Sequence, residues 1–298
     1  MRGPLAWIDA QLGVPPVEPG RPGDPGLFGP GSAVWTIGRE RALLAGGPAA
    51  LLMQIAHPLV AAAVAGHSGF QLDPFARLRA TLEAVLAVSY GDELQARAAA
   101  RKVMAVHRHV RGRLESAAGP FPAGTAYDAT DPELALWVHA TLVSTALDAF
   151  DLLVRPLREG ERARYFEEAK IFAAMFGVTD EVMPRTFGDF RTYVDRMLEG
   201  PVLFVTDEAR LLAEQIVHPP VPVAVRPILP VTGAVTAALL PGRLRQGFGL
   251  GWGPGRRAVA SSAAGSVRLA IRALPPRARY WPHYLHAMTR DREARATR

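Results

Sequence analysis

The chain has 298 residues, 49% of them hydrophobic, and a formal net charge of +6, which suits one large domain or two small ones with a sizeable core. It contains no cysteine, and this excludes disulfides, thiolate zinc sites, iron–sulfur clusters and covalently attached c-type haem. Only Lys102 and Lys170 are lysines; with abundant Ala, Gly and Pro the arginine excess reads as a GC-rich coding bias, so nucleic acid is not an expected partner, while a weak contact with anionic lipid headgroups is compatible with the charge.

The opening stretch MRGPLAWIDAQLG lacks the continuous apolar core of a signal peptide, and the cytoplasm is the expected compartment. Residues 13–32, rich in Pro and Gly, read as an irregular arm. The expected division is an N-terminal arm over 1–32, a helical domain over 33–275 and a basic tail over 276–298. The tail is expected to pack only in part.

From Ser32 onward the periodicity is helical. Helices are expected near 33–45, 48–66, 74–89, 92–115, 132–154, 160–175, 187–198 and 205–215, with further helical stretches near 231–240 and 257–273. Asp73-Pro74 and Asp131-Pro132 are helix starts, with Asp as N-cap and Pro in the first turn. No strand pattern stands out, so the fold class is all-α.

Within the second helix, QIAHPLV (residues 54–60) interrupts an apolar run of membrane-span length with Gln54, His57 and Pro58. Polar groups are costly at mid-bilayer, which favours a buried helix whose polar residues need partners. Pro58 removes a helix donor and restricts His57.

The helix near 92–115 carries His107 and His109. Val103, Val110 and Leu114 form an apolar stripe that includes His107, and His109 lies about 200° away with Lys102 and Arg113. A histidine on such a stripe is either a core residue bonded to a carbonyl or a metal or haem ligand. His139, in LWVHATL, is expected to be buried and carries the same two readings. Arg77 and Thr81, four apart, share a face with Ala84 and Val88. An arginine there needs an anion: a substrate carboxylate, a haem propionate or a plain Asp or Glu. Zinc-protease, dinucleotide, phosphate-loop, di-iron and hydrolase-elbow motifs are all missing.

Taken in order, WTIGRERALLAGGPAALLMQIAHPLVAAAVAGHSGF, DPFARLRATLEAVLAVSYGD, VMAVHRHVRG, AYDATDPELALWVHATLV, RYFEEAKIFAAMFGV and VMPRTFGDFRTYVDRML resemble the family that groups MpaB-type oxygenases with the rubber oxygenases called latex clearing proteins. The resemblance implies an all-α fold with a globin-like helical core around a haem b pocket. It implies His107 as the iron ligand, and Arg77 and Thr81 on the distal side. It further implies dioxygen and a hydrophobic small molecule as partners. Where the rubber-cleaving branch carries a lysine just before that threonine, this chain has Ala80, which argues against rubber as the substrate. Gln54 and His57 would then offer polar contacts in or behind the pocket, and His139 is the second candidate ligand. The expected function is haem b-dependent oxygenation, with oxidative C=C cleavage as one form. The alternative is a non-catalytic haem- or lipophile-binding protein, associated with a membrane surface.

Overall fold

The computed structural model describes residues 13–67, 74–219 and 229–296, with the side chains of 74–78 and 294–296 excepted. Fourteen α-helices, one 3-10 helix (Arg41–Gly46) and one small hairpin follow one another among these residues. They are α1 (Ala33–Gly38), α2 (Gly47–Ile55), α3 (Pro58–His67), α4 (Pro74–Tyr90), α5 (Glu93–His107), β1 (Arg111–Arg113), β2 (Ala126–Asp128), α6 (Pro132–Leu153) and α7 (Glu159–Met175). After these come α8 (Phe187–Glu199), α9 (Asp207–Val217), α10 (Leu229–Leu239), α11 (Gly242–Gly247), α12 (Pro254–Ala273), α13 (Pro276–Arg279) and α14 (Pro282–Ala296). The fold is all-α apart from that hairpin.

Local signals set the helix starts. The Ser32 side chain accepts from Trp35 N–H at the head of α1, and the Asp131 carboxylate accepts from Glu133 N–H at the head of α6, where Pro132 fills the first turn. Asp92 and Gln95 form a reciprocal capping box that opens α5.

The core is built around α6, whose buried side includes Trp137, Leu147 and Phe150. Helix α2 packs against it, and the Trp137 indole N–H donates to the Met53 carbonyl at 3.2 Å. The expected helix near 48–66 is two helices. The segments Arg41–Ile55 and Pro58–His67 meet at 107°. Pro58 has no N–H to continue the ladder, and the Ala56 carbonyl at the break accepts from Phe204 N–H at 2.9 Å. One helix, Pro132–Leu153, is long and apolar enough to cross a membrane, and 61% of its apolar window is buried inside the fold.

The helix expected near 92–115 stops at His107, and a hairpin takes over, with Gly112 opposite Tyr127. A Cβ on Gly112 would lie 2.5 Å from the Tyr127 hydroxyl, so the tyrosine ring closes over a position that only glycine leaves open. The strand pattern is too short, at three residues a side, to show as alternation in the sequence.

A second cluster joins both ends of the chain. Trp35, Tyr90, Trp281 and Tyr284 pack together, and the Arg279 guanidinium clamps the buried Glu40 carboxylate at 2.7 and 2.8 Å. The tail beyond 276 is therefore docked through Trp281, Tyr284, Ala287 and Arg290, all buried. The irregular arm is held too, since Arg21 N–H donates to Asp92 and Arg290 donates to the Asp24 carbonyl, each at 2.8 Å.

Candidate functional site

Helices α4 and α5 form an antiparallel pair, joined through Gly91 and Asp92. The ion pair between Glu83 and Lys102, 2.7 Å long, fixes their register. Stepping back along α4 from Glu83 matches stepping forward along α5 from Lys102. Thr81 therefore lies about level with Met104, and the backbone of Arg77 about level with His107. Thr81 is half-buried and Ala80 is exposed. The Arg77 side chain lies outside the described residues. On the same face Ala84 and Val88 are buried, as the spacing predicted.

His107 is the last residue of α5 and is half-buried; His109 is exposed, with Nδ1 at 2.8 Å from the Ala105 carbonyl. The contrast between the two histidines matches the sequence expectation, but its basis does not. With the helix ending at His107, Val110 and Leu114 are no longer on its stripe. The orientation comes instead from Met104, one turn earlier on the same face. Its Cε lies 3.2 Å from the position of a Cβ on Gly177, at the turn that ends α7. Gly177 has φ +91, a left-handed conformation that suits glycine, and it lets the methionine close in.

Leu136, one turn before His139 on α6, packs with Ala173 and Val178, at the same end of α7 that Met104 meets. His139 is buried and its Nε2 has no hydrogen-bond partner. Burial pushes its pKa down to about 4, so the ring is uncharged at neutral pH.

Gln54 and His57 are buried on another side of α6. Trp137 faces α2, and His139 lies about 200° around α6 from it. The helix thus stands between His139 and the Gln54–His57 break. The His57 ring sits 5.4 Å from that of Phe121, in the loop of the hairpin, and its Nδ1 has no hydrogen-bond partner. Burial lowers its pKa to about 4, against the opposing pull of Asp131. Sequence reasoning missed Phe121 because the first strand lies inside the expected helix 92–115 and residues 116–131 fall in no expected element. Beside this break lies a cleft of about 460 Å³. Pro58, Ala62 and Gly66 of α3, the hairpin residues Arg113 and Tyr127, and Glu208 at the start of α9 border it. None of His107, His139 and Thr81 borders that cleft.

Comparison with known proteins gives one family, described as the ER-bound oxygenase mpaB/B'/rubber oxygenase catalytic domain, which matches residues 34–274. Two uncharacterised proteins, Mb2261 of Mycobacterium bovis and Rv2237 of Mycobacterium tuberculosis, are each 29% identical over 127 residues, which is 43% of this chain and 47% of theirs. The chain thus spans about half the length of the curated relatives it matches. No solved structure gives a significant match.

Proposed function

Because the chain belongs to the family of ER-bound oxygenase mpaB/B' and rubber oxygenase catalytic domains, we propose that it is a haem b-dependent oxygenase acting with dioxygen on an apolar small molecule. Family membership supports an oxidoreductase-type enzyme; the haem, its ligand and the substrate class are our reading. The observation that supports it is a pair of imidazoles, His107 half-buried and His139 buried and uncharged, each one turn from a residue, Met104 or Leu136, that meets the end of α7.

The donor set fits haem better than a bare ion. Zinc sites take three or more side-chain ligands, and no group of three or more His, Cys, Asp or Glu among the described residues could hold a metal ion. Haem iron asks the protein for a single axial nitrogen. Bound haem would supply the dioxygen chemistry.

The chain's own residues then divide the remaining work. His107 would hold the iron through a ring nitrogen, and His139 is the second candidate for that role. Thr81, half-buried one turn from the level of His107, can donate a hydrogen bond into the site. Arg77 anchors an anionic group, a propionate or a substrate carboxylate, with a charge-assisted bond. Gln54 and His57 lie on the other side of α6 and are not brought to His139, so a contact from them to the haem is not part of this reading. Ala80 brings no ligand of its own and leaves room, so we assign a substrate smaller than polyisoprene and an iron open to small ligands. Oxidative C=C cleavage is the reaction that the resemblance favours.

Hemin titration of the purified protein, followed by visible absorbance, tests the core of this proposal. Stoichiometric uptake with a Soret band that azide, cyanide or imidazole shifts is expected. A colourless protein that takes up no added hemin overturns it. Haem bound tightly with no dioxygen uptake in the presence of apolar alkenes would make the protein a carrier.

A further inference from the structure

The cleft beside the α2–α3 break lies apart from the two candidate iron ligands and has chemistry of its own. Pro58, Ala62 and Gly66, on successive turns of one face of α3, give it a wall of small and apolar groups. The hairpin contributes Tyr127 and Glu115, and the approach to α9 contributes Phe204 and Glu208. A volume of about 460 Å³ is that of a small-molecule site.

Tyr127 is only 9% exposed, and its ring stands edge-on to His67 at 6.0 Å. Its hydroxyl is fitted between two glycines. A Cβ on Gly112 would meet it at 2.5 Å, and one on Gly66, in the cleft wall, would stand 3.4 Å away. Yet the hydroxyl has no hydrogen-bond partner among the described residues. A buried phenol normally finds one; this one is packed in place with its polar end beside the cleft wall.

Phe204 is also held and left unused. Its N–H donates to the Ala56 carbonyl at 2.9 Å. Gly119, at φ +57, comes so close that a Cβ there would lie 2.7 Å from the Phe204 Cβ. The residue is thus pinned at its base, and it remains 48% exposed at the cleft.

The free charge of the cleft is negative. Asp207 and Arg210 pair with each other, and Arg113 donates to the Gly124 carbonyl at 2.8 Å. Glu115 and Glu208 have neither ion pair nor hydrogen bond among the described residues. Burial and the neighbouring Glu115 raise the Glu208 carboxyl above its usual range. Burial, then Glu208 and Glu115, raise the Tyr127 phenol. No basic side chain acts against these two carboxylates at either group.

We propose that this cleft binds a small organic ammonium ion. Glu115 and Glu208 supply the countercharge, the Tyr127 hydroxyl accepts a hydrogen bond from the ammonium N–H, and Phe204, Pro58 and Ala62 hold the carbon skeleton. Charge-assisted bonds and an aromatic face together recognise such a cation. No group of three or more His, Cys, Asp or Glu among the described residues could hold a metal ion, and aromatic and apolar walls suit a cation that carries carbon. The inference rests on this cleft alone and does not depend on haem.

Isothermal titration calorimetry of the full chain with hexylammonium chloride tests it, with hexanol and sodium hexanoate as neutral and anionic probes of the same length. Hexylammonium is expected to bind, less tightly as salt rises, with hexanol about tenfold or more weaker and hexanoate not bound. Glu115→Gln and Glu208→Gln should each lower the hexylammonium affinity about tenfold. Glu181→Gln, at an exposed acid that does not border the cleft, should leave it unchanged. Tyr127→Phe should lower the affinity severalfold with no loss of thermal stability, because the hydroxyl bonds nothing in the fold. A lower melt at unchanged affinity would make it a structural group and overturn its assignment. No binding of hexylammonium overturns the proposal, and so does binding that Glu115→Gln and Glu208→Gln both leave intact. Equal affinity for hexanol would reduce the cleft to an apolar pocket, and a preference for hexanoate that Arg113→Gln removes would reverse its sign; either result overturns it.

Discussion

Helices α5 and α6 each carry one candidate ligand, and they hold it differently. In α6, Trp137 and Ala140 on either side of His139 are fully buried, and the imidazole is sealed with them. In α5 the buried residues are Ala96 and Ala100, near the turn to α4, and the end that bears His107 is half-open, with Val106 59% exposed. A sealed imidazole is locked in its neutral form by the surrounding apolar groups. A half-open one at a helix end can accept a ligand without the cost of opening a core. On the proposed reading α6 has the structural role and α5 the exchangeable one.

The comparison can be broken at its strongest point first. His107→Ala should abolish hemin uptake, and His109→Ala should leave it unchanged, both read from the Soret absorbance. If His139→Ala alone removes haem, the two helices have the opposite roles. On stability the ranking reverses. Trp137→Ala should cost about 3–5 kcal/mol, measured as a urea midpoint, whereas Val106→Ala on α5 should stay within about 0.5 kcal/mol.

Acid separates the helices next. His139 titrates near 4 when folded against 6.5 when free, so the unfolded chain takes up the proton first as pH falls. Its contribution to stability is complete above about 6.5 and is lost as pH drops toward 4. His57, lowered to about 4 by burial, acts with the same sign, and each is worth on the order of a few kcal/mol. His139→Leu should flatten the acid limb of urea midpoints against pH by about half. An unchanged limb would mean that the ring is not sealed.

The smallest effect is expected at Arg77. Arg77→Ala should slow turnover about ten- to a hundredfold, the equivalent of about 1.5–3 kcal/mol for a charge-assisted hydrogen bond, with little change in melting temperature. A loss of stability at unchanged specific activity would assign Arg77 to a structural ion pair on α4.

Part of the candidate site is legible in the sequence because it depends on near neighbours. His109 is exposed, as the sequence predicted, although it lies past the end of α5 and not on a face shared with Lys102. His139, in an almost wholly apolar helix, is buried. The end of α5 was not legible, because Met104 there meets Gly177, seventy-odd residues later, and a hairpin takes over after His107. Pro58 announced a bend, but its angle follows from what the freed Ala56 carbonyl finds, which is Phe204 N–H.

By itself the sequence determined the helical class, the helix start at Asp131, and the exclusion of thiol chemistry. Each rests on interactions within three or four residues, or on composition alone. Only the tertiary structure decided that α5 stops at His107, that α6 divides His139 from His57, that the C-terminal segment locks Arg279 onto Glu40, and that Leu269 faces out. Burial is summed over neighbours far apart in the chain, so no local pattern can assign it.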